Sequence, residues 1–378
     1  DTEIAALLNE NFIPVKVDRE ERPDIDRVYM DVCTAMTGNG GWPLTVILTP
    51  DKKPFFAGTY FPPEDMPRFK GLKSILNGIA AIWKDRRGDV LESAEGVAGF
   101  MKQEKSRLKG ELSGDLLHSA FHQLDSMFDP IYGGIGARGP KFPQAHQFTF
   151  LTRYWRRTGD KRALEIAETS LNRIISGGIY DHAGGGVHRY STDRHWFAPH
   201  FEKMLYDQAL LSRALLETGQ ATGNPRFFDA ARDTLDYVLR DLSAAGGGFF
   251  SAEDADSEGE EGRYFVWSRG EVAALLVGDA DAFRVLEAFF GLTEEGNFEE
   301  SGTCVLHEAR SIGAVAEELG LDDSVARAAL ERGKVALLRA RAARVRPLRD
   351  DKILASWNAL LIGALAGASR TLAAPKLL

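Results

Sequence analysis

The run Tyr180-Asp181-His182-Ala183-Gly184-Gly185-Gly186-Val187-His188-Arg189-Tyr190, continuing to Asp193, Trp196, His200, Glu202, Lys203 and Asp207, gathers titratable side chains around three consecutive glycines. Glycines adopt backbone angles closed to other residues and let a ligand approach the main chain. Imidazoles and carboxylates grouped in this way are the groups that move protons in acid–base catalysis, and titratable clusters go with functional sites. A helix begun at Pro199 would set His200, Lys203 and Asp207 on one face, at i, i+3 and i+7. Proline suits the first helical turn, which places His200 at an electropositive helix start and biases it toward the neutral form that abstracts protons. The same three residues also read as a hydrogen-bonded polar layer between helices, and His182 and His188 as loop braces.

A second constellation is Glu253-Asp254-Ala255-Asp256-Ser257-Glu258-Gly259-Glu260-Glu261-Gly262. Acids at 254, 256 and 258 before Gly259 imitate the opening of a calcium loop, but its twelfth position is Phe265 and not the bidentate glutamate. No metal is expected, and no cofactor. Carboxyl pairs, one protonated and one ionised, serve glycoside hydrolysis. Asp181 with Glu253 or Asp254 reads as such a pair, because both follow similar Gly-Gly turns. The candidate catalytic residues are therefore His200, Asp181, Glu253 and Asp254, with acid and base unassigned. Tyr180, His182, His188, Arg189, Trp196, Lys203, Asp207, Trp357 and Asn358 are candidate substrate contacts, the two tryptophans as faces for a sugar ring. Walker, Gly-x-Ser-x-Gly and His-Glu-x-x-His motifs are missing, which demotes phosphoryl transfer, serine hydrolysis and zinc proteolysis.

The elements that must position these residues change character along the chain. A helix to Asn11, a strand at Phe12–Val17, a helix at Ile25–Cys33, a strand at Leu44–Leu48 pairing with Phe55–Tyr60, and a helix at Leu72–Phe100 give an α/β pattern. Beyond about residue 112 strand signals fade and helices recur between glycine-rich breaks. Three segments repeat: Lys141-Phe142-Pro143, Pro199-His200-Phe201 and Asp351-Lys352-Ile353 each lead a helix, the first two followed by a second helix. Such hairpins bury their faces against neighbours, so a stacked or closed array is implied. Pro43, after Gly40-Gly41-Trp42, is placed either to open a strand or to form the cis peptide that proline makes cheap.

With 378 residues, two or three domains are expected. A net charge of -9 and a pI near 5.5 argue against a nucleic-acid ligand. The apolar stretch Ala359–Ala368 is about half the roughly 20 residues of a membrane span and reads as a buried helix. Cys33 and Cys304 form no short Cys-x-x-Cys pair, so neither a disulfide framework nor a cysteine zinc site is indicated, and a reducing, cytoplasmic compartment is expected. Asp1 reads as the entry to a helix already under way; truncation at both ends is expected, with an upstream targeting segment left open.

Four stretches carry a family likeness: "FIPVKVDREERPDIDRVYM" with "TGNGGWPLTVILTPDKKPFFAGTYFPP", "GGIYDHAGGGVHRYSTDRHWFAPHFEKMLYDQALL", "SAEDADSEGEEGRYFVW" and "DDKILASWNALL". They resemble the spermatogenesis-associated protein 20 family, whose bacterial members are labelled thioredoxin domain-containing proteins. The resemblance implies an α/β thioredoxin-like domain, here 1–108 without its first strand and Cys-x-x-Cys segment, followed by an all-α (α/α)6 toroid, here an incomplete 109–378. That toroid is similar to N-acylglucosamine 2-epimerases and six-hairpin glycosidases. It implies a carbohydrate-binding or carbohydrate-processing role, with a small sugar as ligand. Trp42-Pro43 matches the thioredoxin cis-proline loop, which implies a protein partner there. The alternatives are a thiol-redox role for the full-length form or a non-catalytic binding scaffold; redox activity is not expected without the dithiol.

Overall fold

The computed structural model describes residues 1–67, 69–107, 113–298 and 301–377, with side chains at 103–107 left aside. The chain divides into two compact units, Asp1–Leu112 and Ser113–Leu378. The expected boundary between 108 and 109 lies outside the described residues.

In the first unit, α1 (Thr2–Asn11) starts where the Asp1 carboxylate caps the Glu3 and Ile4 amides, and α2 (Pro23–Thr37) carries Pro23 in its first turn and ends at Gly38 with φ 81°. The strands β1 (Thr45–Leu48) and β2 (Pro54–Gly58) pair antiparallel as expected, Val46 opposite Ala57. The single long helix expected at Leu72–Phe100 is two, α3 (Leu72–Asp85) and α4 (Arg87–Arg107), broken at Arg86. Helices α2 and α4 pack against β2, and α1 against α3. The expected strand at Phe12–Val17 is not one. It has no ladder partner among the described residues, and Ile13 and Val15 are 93% and 77% exposed, so neither hydrogen bonding nor burial holds it in a sheet. The Trp42–Pro43 peptide is cis, as is Gly139–Pro140 in the second unit, which the sequence did not flag.

The second unit is built from helical hairpins. After α5 (Asp115–Met127), α6 (Ala145–Thr158) turns at Gly159 into α7 (Lys161–Ser176), capped by Asp160. Ala163, Ile166, Ala167, Ser170, Leu171 and Ile174 follow the helical repeat and are all fully buried. Short strands β3 (Tyr190–Ser191), β4 (Pro199–His200) and β5 (Lys203–Met204) precede α8 (Leu205–Thr222). Next come α9 (Pro225–Tyr237), a π turn at Val238–Leu242, and β6 (Ala252–Glu253), β7 (Asp256–Ser257) and β8 (Glu260–Glu261). Four helices that the sequence reading left unassigned follow: α10 (Arg269–Leu275), α11 (Ala280–Phe290), α12 (Ile312–Leu319) and α13 (Asp323–Arg341), with a hydrophobic core of their own. Strand β9 (Arg349–Asp350) and α14 (Ala355–Thr371) return to the main core, where α8 packs between α9 and α14. In α14 only one face is buried, through Leu361, Ala364, Leu365 and Ala368, while Ile362 is 62% exposed.

The repeat is legible in individual bonds. Lys141 Nζ donates to Asp129 Oδ2 (2.8 Å) and to the Gly133 carbonyl (2.7 Å). One hairpin on, Lys203 Nζ donates to Asp181 Oδ2 (2.6 Å) and the Gly185 carbonyl (2.8 Å). In each case the lysine donates to the carbonyl four residues after the aspartate, and the aspartate's other oxygen accepts the amides two and three residues on. A second device also recurs. Gln208 on α8 clamps Val187 through both its amide and its carbonyl, and Asn358 on α14 does the same to Phe249. Gln208 is fully buried, so Gln208→Ala strands a buried donor and acceptor, each at about 1–3 kcal/mol. Urea unfolding should show a larger loss for Gln208→Ala than for Asn358→Ala, whose clamp is half-exposed; the reverse order would remove the clamp from this account.

Candidate functional site

The π turn carries α9 on by one widened turn and brings Arg240 and Asp241 beside Tyr237; π turns recur at functional sites. These residues, Lys203 of β5, Glu253 of β6, Tyr264 and Phe265, and Arg341 at the end of α13 surround a cavity of about 290 Å³. Strands β5 and β6 pair with Lys203 opposite Glu253, which sets the two side chains at one wall. Lys203 is fully buried and its ammonium lies 4.0 Å from the Tyr237 ring centroid and 5.2 Å from that of Phe265. Gly184 makes room for Arg341: a Cβ there would stand 1.6 Å from its Nη2.

Charge in this site is uneven. Asp181 serves two buried cations, Lys203 and Arg341 (2.8 Å). Burial alone would raise its carboxyl; Arg341 and Lys203 outweigh that and hold it well below the usual range. Asp241 likewise serves both Arg240 (2.5 Å) and Arg346 (2.8 Å). Glu253 differs: burial pushes its carboxyl up, and Oε2 accepts the Tyr237 hydroxyl at 3.0 Å. It is the carboxyl here that is poised to carry a proton.

Asp181 and Glu253 are not equivalent positions of the repeat. The bridges Tyr180 to Val187 and Ser243 to Phe249 align Asp181 with Ala244. The pairings Lys141 to Ser191 and Lys203 to Glu253 align Glu253 with Ser191. Glu253 thus stands where the preceding repeat has a fully buried serine. Asp254, the other expected partner, is exposed, and its Oδ1 accepts the Ala255 amide.

The helix face expected to join His200, Lys203 and Asp207 does not form. Pro199–His200 pair with Tyr190–Ser191 and Lys203–Met204 with Ala252–Glu253, so extended backbone persists until Leu205. His200 is not among the residues lining the cavity. Its Nδ1 lies 2.6 Å from Glu261 and its Nε2 3.3 Å from Glu202, with the ring stacked on Tyr190. Glu202 above all, then Glu261, raises its pKa, the opposite of the neutral bias expected at a helix start. Asp207 is buried on α8 without a cation on Oδ2, and burial raises its carboxyl well above the usual range.

The remaining candidates brace the fold. His182 Nε2 donates to the Gly177 carbonyl (3.0 Å) and His188 Nδ1 to that of Phe201 (2.9 Å); burial brings both imidazoles down to about 3. Tyr180 donates to the Ala230 carbonyl, and Arg189 pairs with Glu202. Trp196, expected in a pocket, is fully buried core with Nε1 on the Tyr132 carbonyl. Trp357 packs edge-on against Tyr206, and Asn358 is the Phe249 clamp. Trp42 is 55% exposed, with Arg19 over its ring. The acidic loop at 254–261 is a hairpin whose tip, Glu258-Gly259, has φ of 54° and 82°. Among the described residues no group of three His, Cys, Asp or Glu is placed to hold a metal ion, and no helix is long and apolar enough to cross a membrane. Arg341, Tyr237 and Asp241 escaped the sequence reading. Tyr264 and Phe265 stood inside a quoted motif, but nothing local marked them.

Fold and site define an α/β thioredoxin-like domain followed by an all-α domain of repeated hairpins, with a charged cavity in the second. Residues 1–102 match the Thioredox_DsbH family, a protein of unknown function, DUF255. The chain is a homologue of Spermatogenesis-associated protein 20: it is 41% identical to the human protein over 96% of this chain and 50% of that one. It spans about half the length of the curated relatives it matches. A solved sugar epimerase from a ruminal bacterium is 12% identical, with 69% of this chain and 83% of that chain covered and a TM-score of 0.33. The GH76 alpha-mannanase BT2949 of Bacteroides thetaiotaomicron is 16% identical over 70% and 64%, with a TM-score of 0.34. Both likenesses are too loose to carry a site or an activity across.

Proposed function

We propose that the all-α domain binds and processes a carbohydrate in the cavity between the π turn and α13, with Glu253 as the proton-transferring group. The observation that carries this reading is Glu253 itself: a buried carboxyl, raised by that burial, bonded to a tyrosine hydroxyl and open to an aromatic-lined cavity. A carboxyl whose hold on its proton is strengthened by burial can protonate a leaving or ring oxygen, and the Tyr237 hydroxyl orients it. Aromatic walls offer faces for a sugar ring. The thiol-redox alternative finds no support in the two cysteines, each fully buried and in separate units.

The test is a panel of mono- and disaccharides assayed for binding and for epimerised or hydrolysed product, with Glu253→Gln beside the parent chain. Glu253→Gln should keep binding and lose turnover by at least about 100-fold. Undiminished turnover in that variant removes Glu253 from the chemistry. A folded parent chain that binds no saccharide removes the carbohydrate reading.

A further inference from the structure

We infer that the ligand of this cavity carries an anionic substituent, a carboxylate or a phosphate on the sugar, held by the arginines at the end of α13. The inference rests on the carbohydrate reading for the sugar and on charge for the anion. Five cations line the cavity: Lys203, Arg240, Arg339, Arg341 and Arg346. Three carboxyl groups stand against them. Asp241 and Glu253 are in the wall, and Asp181 lies behind Lys203 and Arg341. Even with all three ionised the balance is two positive charges, in a chain whose overall net charge is -9.

Sharing sharpens the imbalance. Asp181 divides between two cations and Asp241 between two more, so neither carboxylate offsets more than one of the two charges it faces. Arg341 is 2% exposed, yet its Nε has no hydrogen-bond partner. Five guanidinium donors in a fixed fork match a carboxylate or phosphate, and a buried one left idle is costly. The C-terminus of α13 contributes about half a negative charge, which offsets a fraction of the excess and leaves the rest. A neutral sugar would leave that excess without a counter-charge at the cavity; an anionic one neutralises it and satisfies the idle donor of Arg341.

Calorimetric titration of the whole chain with D-glucose, D-glucuronate, D-glucose 6-phosphate and inorganic phosphate tests this, with Arg339→Gln and Arg346→Gln as variants. Arg339 is exposed on the last turn of α13, so its loss spares the fold, and Arg346 gives a second, independent reading. One acidic sugar should bind at least roughly tenfold more tightly than glucose, as one charge-assisted hydrogen bond would provide, and lose that advantage in both variants. Which acidic sugar prevails distinguishes carboxylate from phosphate. Equal binding of glucose and both acidic sugars overturns the anion inference and leaves the carbohydrate reading standing. Inorganic phosphate binding as tightly as the phosphorylated sugar, and weakening in the variants, supports the anion site and overturns the sugar. A folded chain that takes none of the four overturns both.

Discussion

Asp181→Ala should destabilise the all-α domain by about 3–5 kcal/mol, the cost of leaving buried charge without its partner. Lys203 and Arg341 both end on this carboxylate, and both are buried, at 0% and 2% exposed. The same oxygen that meets Arg341 also accepts the Ala183 and Gly184 amides, so the glycine loop loses its turn together with its charge. Against a typical total of about 5–15 kcal/mol, that is enough to unfold a large share of the molecules near physiological temperature. Urea denaturation followed by tryptophan fluorescence gives the number. Asp181→Asn separates the parts, because the amide keeps an acceptor for the two backbone groups and removes the charge. Asp129→Ala is the control from the preceding repeat, where Lys141 and Arg194 share the carboxylate; it should behave alike. An Asp181→Ala protein within about 0.5 kcal/mol of the parent, the range of an indifferent surface change, contradicts the buried-pair account.

The second large effect is acid lability with an assigned origin. His182 and His188 have folded pKa values of about 3 because burial excludes the charged form, against about 6.5 in the unfolded chain. Between those values the unfolded state takes up protons that the folded state refuses. Stability therefore falls as pH falls from 6.5 toward about 3, with a slope of up to about 1.4 kcal/mol per pH unit for each histidine. His200 works the other way. Its raised pKa contributes stability that is full below 6.5 and lost as pH rises through the folded value. Glu202, lowered to about 2 by His200 and Arg189, contributes above 4.5 and loses that contribution on the way down to about 2. Between pH 6.5 and 4.5 His146 and His307, also lowered by burial, act in the same sense as His182 and His188. Asp207, Asp233 and Glu253, raised by burial, act in the opposite one, so the two imidazoles are isolated by comparing variants with the parent. Urea midpoints measured across that range should fall less steeply for His188→Gln and His182→Asn than for the parent, each variant starting from a lower midpoint at neutral pH. Unchanged slopes in both variants would falsify the assignment.

Where local pattern decides structure, the sequence was readable. The apolar spacing of α7, the Asn224-Pro225 start of α9 and the turn between β1 and β2 all specify their own elements. Misreadings arose where a distant partner overrules the local signal. Phe12–Val17 alternates like a strand, yet pairing makes a strand and none is present there among the described residues. Pro199 looks like a first helical residue, yet pairing with Tyr190–Ser191 and Ala252–Glu253 delays the helix to Leu205. The site was half visible. Lys203, Asp181 and Glu253 belong to loops whose glycines advertise them, while Arg341 meets Asp181 across 160 positions from a helix with no glycine motif beside it. Nothing in the residues flanking Arg341 distinguishes it from Arg339, which is exposed.

Each glycine loop of the hairpin array is fastened by a residue that comes later in the chain. Asp129 waits 12 positions for Lys141, Asp181 waits 22 for Lys203, and Val187 waits 21 for Gln208. Phe249 waits 109 for Asn358, because α10 to α13 are threaded in between. On a ribosome this ordering has a direction: every loop stays unlatched until its successor hairpin has left the exit tunnel, and the chain sets one step behind its own synthesis. The long wait at Phe249 falls on the loop that carries Glu253 into the cavity. The proposed site thus closes later than the loops before it, and a nascent chain stopped short of α14 would hold its earlier hairpins latched around an unfinished pocket.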